Sequence, residues 1–120
     1  MDWIVDFHPA FAAEFEAFSE TVQDALLAGI GMLEKFGPHL GRPHVDTLND
    51  SKYRNMKELR FNADNGAWRA AFALDPARNA IVLVAGDKSS GNEKRFYKQL
   101  IRKADERFDD HLRRLKEHGA

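Results

Sequence analysis

The chain has 120 residues, 43% of them hydrophobic, with nine Phe, no Cys and a formal net charge of −1. That length and composition suit one domain over residues 1–120 with one modest core. They exclude disulfides and thiolate metal sites, and no apolar run is long enough to span a membrane. The N-terminus carries Asp2 and Asp6 and lacks the basic region of a signal peptide. These features suit a cytoplasmic protein.

The near-neutral sum conceals a split. Residues 1–50 hold two basic and nine acidic residues, a net of −7, whereas residues 51–120 hold sixteen basic and ten acidic, a net of +6. Such asymmetry suggests an anionic partner for the second half. A solvated surface with chance clustering is the plainer alternative.

Trp3–Phe7 is short, β-branched and aromatic, which predicts an opening strand. Pro9 sits where a first helical turn tolerates proline, and Phe11, Phe15 and Phe18 recur at helical spacing. Ser19 is a suitable N-cap for a second helix, with Val22, Leu26, Leu27, Ile30, Leu33 and Phe36 as its apolar stripe. Gly29 and Gly31 weaken that helix unless they serve close packing, and Gly37–Pro38 stops it. Residues 37–55 lack periodicity and read as a long loop pinned by Leu40, Val45 and Leu48.

Leu59 and Phe61, then Trp68, Ala70, Phe72 and Leu74, alternate at period two. Ala80–Ala85 is apolar throughout, as in a strand covered on both faces. Turn chemistry in 62–66 and 75–79 joins these runs into an antiparallel meander. A loop follows over 88–92, without a phosphate-binding glycine fingerprint. Residues 93–117 then place Tyr97, Leu100, Ile101, Ala104, Phe108, Leu112 and Leu115 on one helical face. The predicted class is α+β: strand, two helices, three antiparallel strands and a C-terminal helix, in one twisted sheet with helices packed on it.

The polar side chains of the meander are largely basic. Arg60 and Arg69 have opposite parity to their apolar neighbours, so both project from the face away from that apolar set. Lys88 ends the last strand, whereas Lys57 shares the parity of Leu59 and is the weakest member. Lys94, Arg95, Lys98, Arg102 and Lys103 crowd the first turns of the last helix, where cations oppose the dipole. The plainer readings are a surface ion pair of Arg60 with Glu58 or a neighbouring strand's acid, a core position for Tyr97 and a solvated helix face. The five His are scattered, so no metal site and no cofactor are expected.

The order of these elements, with Lys57-Glu58-Leu59-Arg60, Trp68-Arg69-Ala70-Ala71-Phe72, Ala85-Gly86-Asp87-Lys88, Glu93-Lys94-Arg95-Phe96-Tyr97 and Ala104-Asp105, resembles the RelE/ParE toxin superfamily. It is most similar to the phage-derived, HigB-like branch of addiction-module killer proteins. The resemblance implies a RelE-like fold and the toxin of a type II toxin–antitoxin system. It implies metal-independent cleavage of mRNA on the ribosome by attack of the ribose 2′-OH on the neighbouring phosphate. The implied partners are a helix-turn-helix antitoxin, the ribosome and mRNA, without a membrane.

By position, Arg60, Arg69, Lys88 and Tyr97, with Phe96 as the lesser alternative to Tyr97, are the implied catalytic residues, while Lys57, Lys94, Arg95 and Lys98 are candidate RNA contacts by their charge. Glu58 departs from the pattern, standing where RelE-type members often carry lysine, and leaves the general base open. Two alternatives stay open on sequence alone: a ParE-like gyrase-inhibiting toxin without nuclease activity, and an inactive relative that binds RNA or antitoxin.

Overall fold

The computed structural model describes residues 2–89 and 91–118; Ser90, within the loop expected over 88–92, lies outside that set. Strands β1 (Ile4–Phe7), β2 (Val45–Thr47), β3 (Met56–Ala63), β4 (Gly66–Leu74) and β5 (Asn79–Asp87) form one sheet in the order β1-β5-β4-β3-β2. The helices are α1 (Pro9–Glu16), α2 (Glu20–Phe36) and α3 (Glu93–His118). The predicted order of strand, two helices, meander and long helix is the observed one.

The local signals act as expected. Ser19 Oγ accepts from the Val22 amide at 3.2 Å and caps α2. The His8 ring accepts from the Ala10 amide at 3.1 Å and caps α1. Gly37 ends α2 at φ +54°, and a Cβ there would lie 2.2 Å from the Trp3 indole nitrogen. Gly29 allows close packing, since a Cβ would meet Leu59 Cδ2 at 2.9 Å; around Gly31 the space is open. The Asp64–Asn65 turn between β3 and β4 has positive φ at both residues, which is the geometry of a tight hairpin.

One expectation needs correction. Residues 37–55 are not all loop: a 3₁₀ turn spans Gly37–His39, and β2 pairs antiparallel with β3 at Val45↔Leu59, Asp46↔Glu58 and Thr47↔Lys57. Three residues with one buried side chain are too few to display a period. Val45 and Leu48 are buried and Leu40 half-buried, so the segment is pinned by the three residues named for that role.

Both faces of the sheet are covered. Leu59, Ala70, Phe72 and Val82 join Phe11, Leu26 and Leu33 beneath α1 and α2. Met56, Ala71, Ala73, Ile81 and Leu83 join Leu100, Ala104 and Phe108 beneath α3. β4 therefore has a second buried face, and the side from which Arg69 projects is covered by α3. The β4–β5 register slips between Ala71 and Phe72, pairing Ala71 with Val84 and Phe72 with Val82. The slip lets consecutive Leu83 and Val84 both serve the α3 cluster.

The C-terminal half of α3 is held by polar contacts. Arg107 donates to both Glu14 carboxylate oxygens at 2.8 and 2.7 Å and to the Leu83 carbonyl at 2.7 Å. His8 Nε2 lies 2.8 Å from Asp110, and His111 Nε2 lies 2.8 Å from buried Asp75. The β2–β3 loop is tied to the same helix: Ser51 donates to Asp105 at 2.5 Å, and Lys52 and Tyr53 donate to Asp109. Among the described residues, no helix is long and apolar enough to cross a membrane.

Candidate functional site

Two arginines face each other where β3 meets β4. Arg60 and Arg69 are direct register partners in the antiparallel ladder, flanked by Leu59↔Ala70 and Phe61↔Trp68. Alternation turns the flanking apolar residues toward α1 and α2 and the arginines toward α3. Two like charges directly opposite repel unless an anion separates them.

That anion is Glu58, two residues before Arg60 on the same strand and face. Its carboxylate is buried, with 3% of the residue exposed. Arg60 Nε and Nη2 lie 3.1 and 3.0 Å from Glu58 Oε2. From α3, the Tyr97 hydroxyl donates to Glu58 Oε1 at 2.8 Å. Arg69 Nε stands 3.8 Å from the same oxygen. One carboxylate thus gathers two guanidinium groups and a phenol.

The Arg69 side chain is only 11% exposed. Its Nη1 donates to the Trp68 carbonyl at 2.9 Å, but its Nε is buried without a hydrogen-bond partner among the described residues. A buried donor left unsatisfied costs roughly 1–3 kcal/mol, offset here in part by the Glu58 carboxylate 3.8 Å away.

Arg60 is 33% exposed and reaches outward to the edge strand, where Nη2 lies 3.2 Å from Asp46 Oδ2. Register explains the contact, since Asp46 stands opposite Glu58. Arg42 Nη2 meets the same Asp46 oxygen at 3.0 Å. The Thr47 amide and then Arg42 hold the Asp46 carboxyl below its ordinary pKa. Burial works against the charge on Arg60, but Glu58 and Asp46 outweigh it and raise its pKa. Tyr97 is shifted upward by burial and by its bond to Glu58, with Arg69 partly opposing. At neutral pH its phenol therefore keeps its proton and can donate.

Three of the four residues singled out as catalytic, Arg60, Arg69 and Tyr97, come together here. Lys88 does not join them: its ammonium pairs with Glu93 at 3.0 Å, and it lines a separate cleft of about 270 Å³ with Arg95 and Phe96. Lys57 pairs in register with Phe72 and keeps the parity of Leu59, which places it toward the opposite face of the sheet. Lys94, Arg95 and Lys98 are exposed on the outer side of α3 and line one cleft of about 480 Å³.

Glu58 and Asp46 were missed as site residues. Glu58 carried one signal, the parity it shares with Arg60, but its partner Tyr97 lies 39 residues further on. Asp46 carried none, because β2 was unseen.

A sequence model of the family described as Phage derived protein Gp49-like matches residues 13–109. The chain belongs to the Gp49-like family. Its relatives include two Mycobacterium tuberculosis proteins. Putative toxin HigB3 is 46% identical over 105 residues, covering 88% of each chain. Putative toxin HigB2 is 40% identical over 111 residues, covering 92% of this chain and 54% of that protein. Among solved structures, an arginine-substituted mutant of E. coli toxin RelE in the free state aligns with a TM-score of 0.53 at 12% identity, over 84% of this chain and 95% of that one. At that identity the likeness speaks for the fold. This Gp49-like chain is thus a relative of the HigB proteins with a RelE-like fold, as its motifs implied.

Proposed function

We propose that this Gp49-like protein is the toxin of a type II toxin–antitoxin pair and cleaves ribosome-bound mRNA without a metal. The observation that carries the proposal is the convergence of Arg60, Arg69 and Tyr97 on the buried Glu58 carboxylate. Cleavage of this type forms a bond from the ribose 2′-oxygen to phosphorus and breaks the bond to the 5′-oxygen. It leaves a 2′,3′-cyclic phosphate and a 5′-hydroxyl. The reaction needs a base for the 2′-OH proton, cations around the phosphorane and an acid for the leaving oxygen.

Arg60 and Arg69 suit the second task, because a guanidinium stays charged and its fork matches two phosphate oxygens. Glu58 is the carboxylate within reach to take the 2′-OH proton. Tyr97, kept neutral by its environment, donates to the leaving 5′-oxygen. Their mutual hydrogen bond lets the proton return from Glu58 to Tyr97 after the turnover. The partners on this reading are the ribosome, mRNA and a helix-turn-helix antitoxin, all met in the cytoplasm.

The test compares Arg69→Ala with Arg54→Ala, an exposed arginine without an ion pair among the described residues. The readouts are mRNA cleavage on ribosomes and the thermal midpoint. Loss of a cation that acts in the transition state removes roughly 3 kcal/mol, on the order of a hundredfold in rate. Cleavage should survive chelation of tightly bound transition metals, with ribosomal Mg²⁺ maintained. Parental cleavage by Arg69→Ala, or its loss through unfolding alone, sinks the assignment.

A further inference from the structure

The Tyr97 ring has a second side. Its hydroxyl closes the Glu58 cluster, while the residue also lines a cleft of about 510 Å³ alongside α3. Ile101 continues that apolar wall, and Lys94, Lys98 and Arg102 contribute cations to it. Across from them stands Asp50, at the tip of the β2–β3 loop.

Asp50 is exposed, yet its loop is firmly held. Leu48 is buried and its amide donates to the Met56 carbonyl at 3.0 Å; the Ser51 amide donates to the Leu48 carbonyl at 3.2 Å. Ser51 and Lys52 then anchor the loop to Asp105 and Asp109 on α3. The Asp50 carboxylate itself has no hydrogen bond or ion pair among the described residues, whereas Asp105, the other carboxylate lining the cleft, already accepts from Ser51 Oγ and the Lys52 amide. Asp50 is therefore the preorganised acceptor left open to a ligand beside Lys94, Lys98 and Arg102.

Single-stranded RNA is bound by this combination of parts: cations track the backbone, an aromatic or apolar wall takes the face of a base, and polar groups read its edge. A carboxylate offers acceptors alone. It therefore favours a base that presents an exocyclic amino group, as adenine, cytosine and guanine do, over uracil, whose corresponding edges are carbonyl oxygens. We infer that the Tyr97–Ile101 cleft receives the nucleobase adjoining the scissile phosphate, and that Asp50 selects amino-bearing bases over uracil. The inference rests on the proposed nuclease reading for its substrate class, but it assigns a distinct residue and a distinct task.

The experiment separates the two. Short 2′-O-methyl oligonucleotides of adenine, cytosine or uracil bind without being cut, because the attacking hydroxyl is blocked. Their affinities are measured by fluorescence anisotropy at one fixed salt concentration. The parent should hold the adenine and cytosine oligomers about tenfold more tightly than the uracil oligomer, the discrimination typical of one polar base contact. Asp50→Ala should level the three, and Asp50→Asn, which adds a donor, should narrow or invert the preference. Lys98→Ala should weaken all three alike. Equal affinities in the parent, absence of binding, or an unchanged ranking in Asp50→Ala overturns the inference. A protein that binds with the Asp50-dependent ranking but cuts nothing refutes the nuclease reading alone. One that cuts at an unchanged distribution of bases in Asp50→Ala refutes the base-reading role alone.

Discussion

On the proposed mechanism a hydroxyl and a carboxylate divide the work of the site, and the hydroxyl can be tested alone. Tyr97→Phe keeps the ring that packs on the α3 cluster and removes the donor to Glu58, which retains Arg60 and Arg69. The stability change should be about 1 kcal/mol, the net contribution of one hydrogen bond. If Tyr97 is the general acid, the cleavage rate should drop on the order of a hundredfold. The pH profile carries the sign: the acid works while protonated, and its pKa is raised above the ordinary value of about 10, so the alkaline limb belongs above that pH. Measured rates that fall already near neutrality, or a Phe variant that cuts as the parent does, would remove Tyr97 from this role. Parity read from Leu59 and Phe61 for Arg60, and from Trp68 and Ala70 for Arg69, set both on one side of the sheet, and that was legible. The pairing of Arg60 with Glu58 was legible as well, though as a surface pair. Its burial was not, because the cover comes from Tyr97 on a distant helix.

Long periodic elements were legible and short ones were not. α3 has seven apolar positions at helical spacing, whereas β2 has three residues and draws its identity from the partner strand. The same limit hid what holds α3 in place, since Arg107–Glu14 joins residues 93 positions apart. Arg107→Met keeps much of the aliphatic stem but abandons the Leu83 carbonyl and both oxygens of Glu14. It should destabilise by about 2 kcal/mol, as charged hydrogen bonds do, read as a lowered thermal midpoint. A midpoint equal to the parent's would mean that apolar packing alone seats the helix. Acid should act on the same clamps. Glu14 is held below its ordinary pKa by Arg107, Asp109 by Lys52 and Asp110 by His8. Groups with depressed folded-state pKa contribute fully above the unfolded value of about 4 and lose that contribution as pH falls through the lower folded one. Hydrogen exchange should therefore show α3 amides losing protection relative to β4 as pH drops below about 4. Equal loss in both elements would show that the clamps are not what yields.

The charge split in the sequence becomes a division between layers. Glu14, Glu16, Glu20, Asp24 and Glu34 belong to α1 and α2 on one face of the sheet. Lys94, Arg95, Lys98 and Arg102 belong to α3 on the other and line its clefts. Glu14 of α1 is already neutralised by Arg107 of α3, and the acids of α2 lie across the sheet from α3, further off than the roughly 8 Å Debye length at physiological ionic strength. A polyanion approaching α3 therefore meets the cations while the acidic layer is largely screened. Three acids of α3 are engaged closer by, with Asp105, Asp109 and Asp110 bonded to Ser51, Lys52 and His8. Binding of single-stranded RNA across this face should then release counterions in proportion to the phosphates met. With four cations engaged, log affinity should fall against log salt with a slope of about −3, from roughly 0.7 per phosphate for single strands. Lys98→Ala should shallow that slope by about 0.7 without altering the fold. Lys35→Ala, on α2, should leave it unchanged. Titrations of the parent and both variants across a range of salt concentrations decide the point. A flat parental slope, or a slope that responds to Lys35 and not to Lys98, would place the polyanion elsewhere on the molecule.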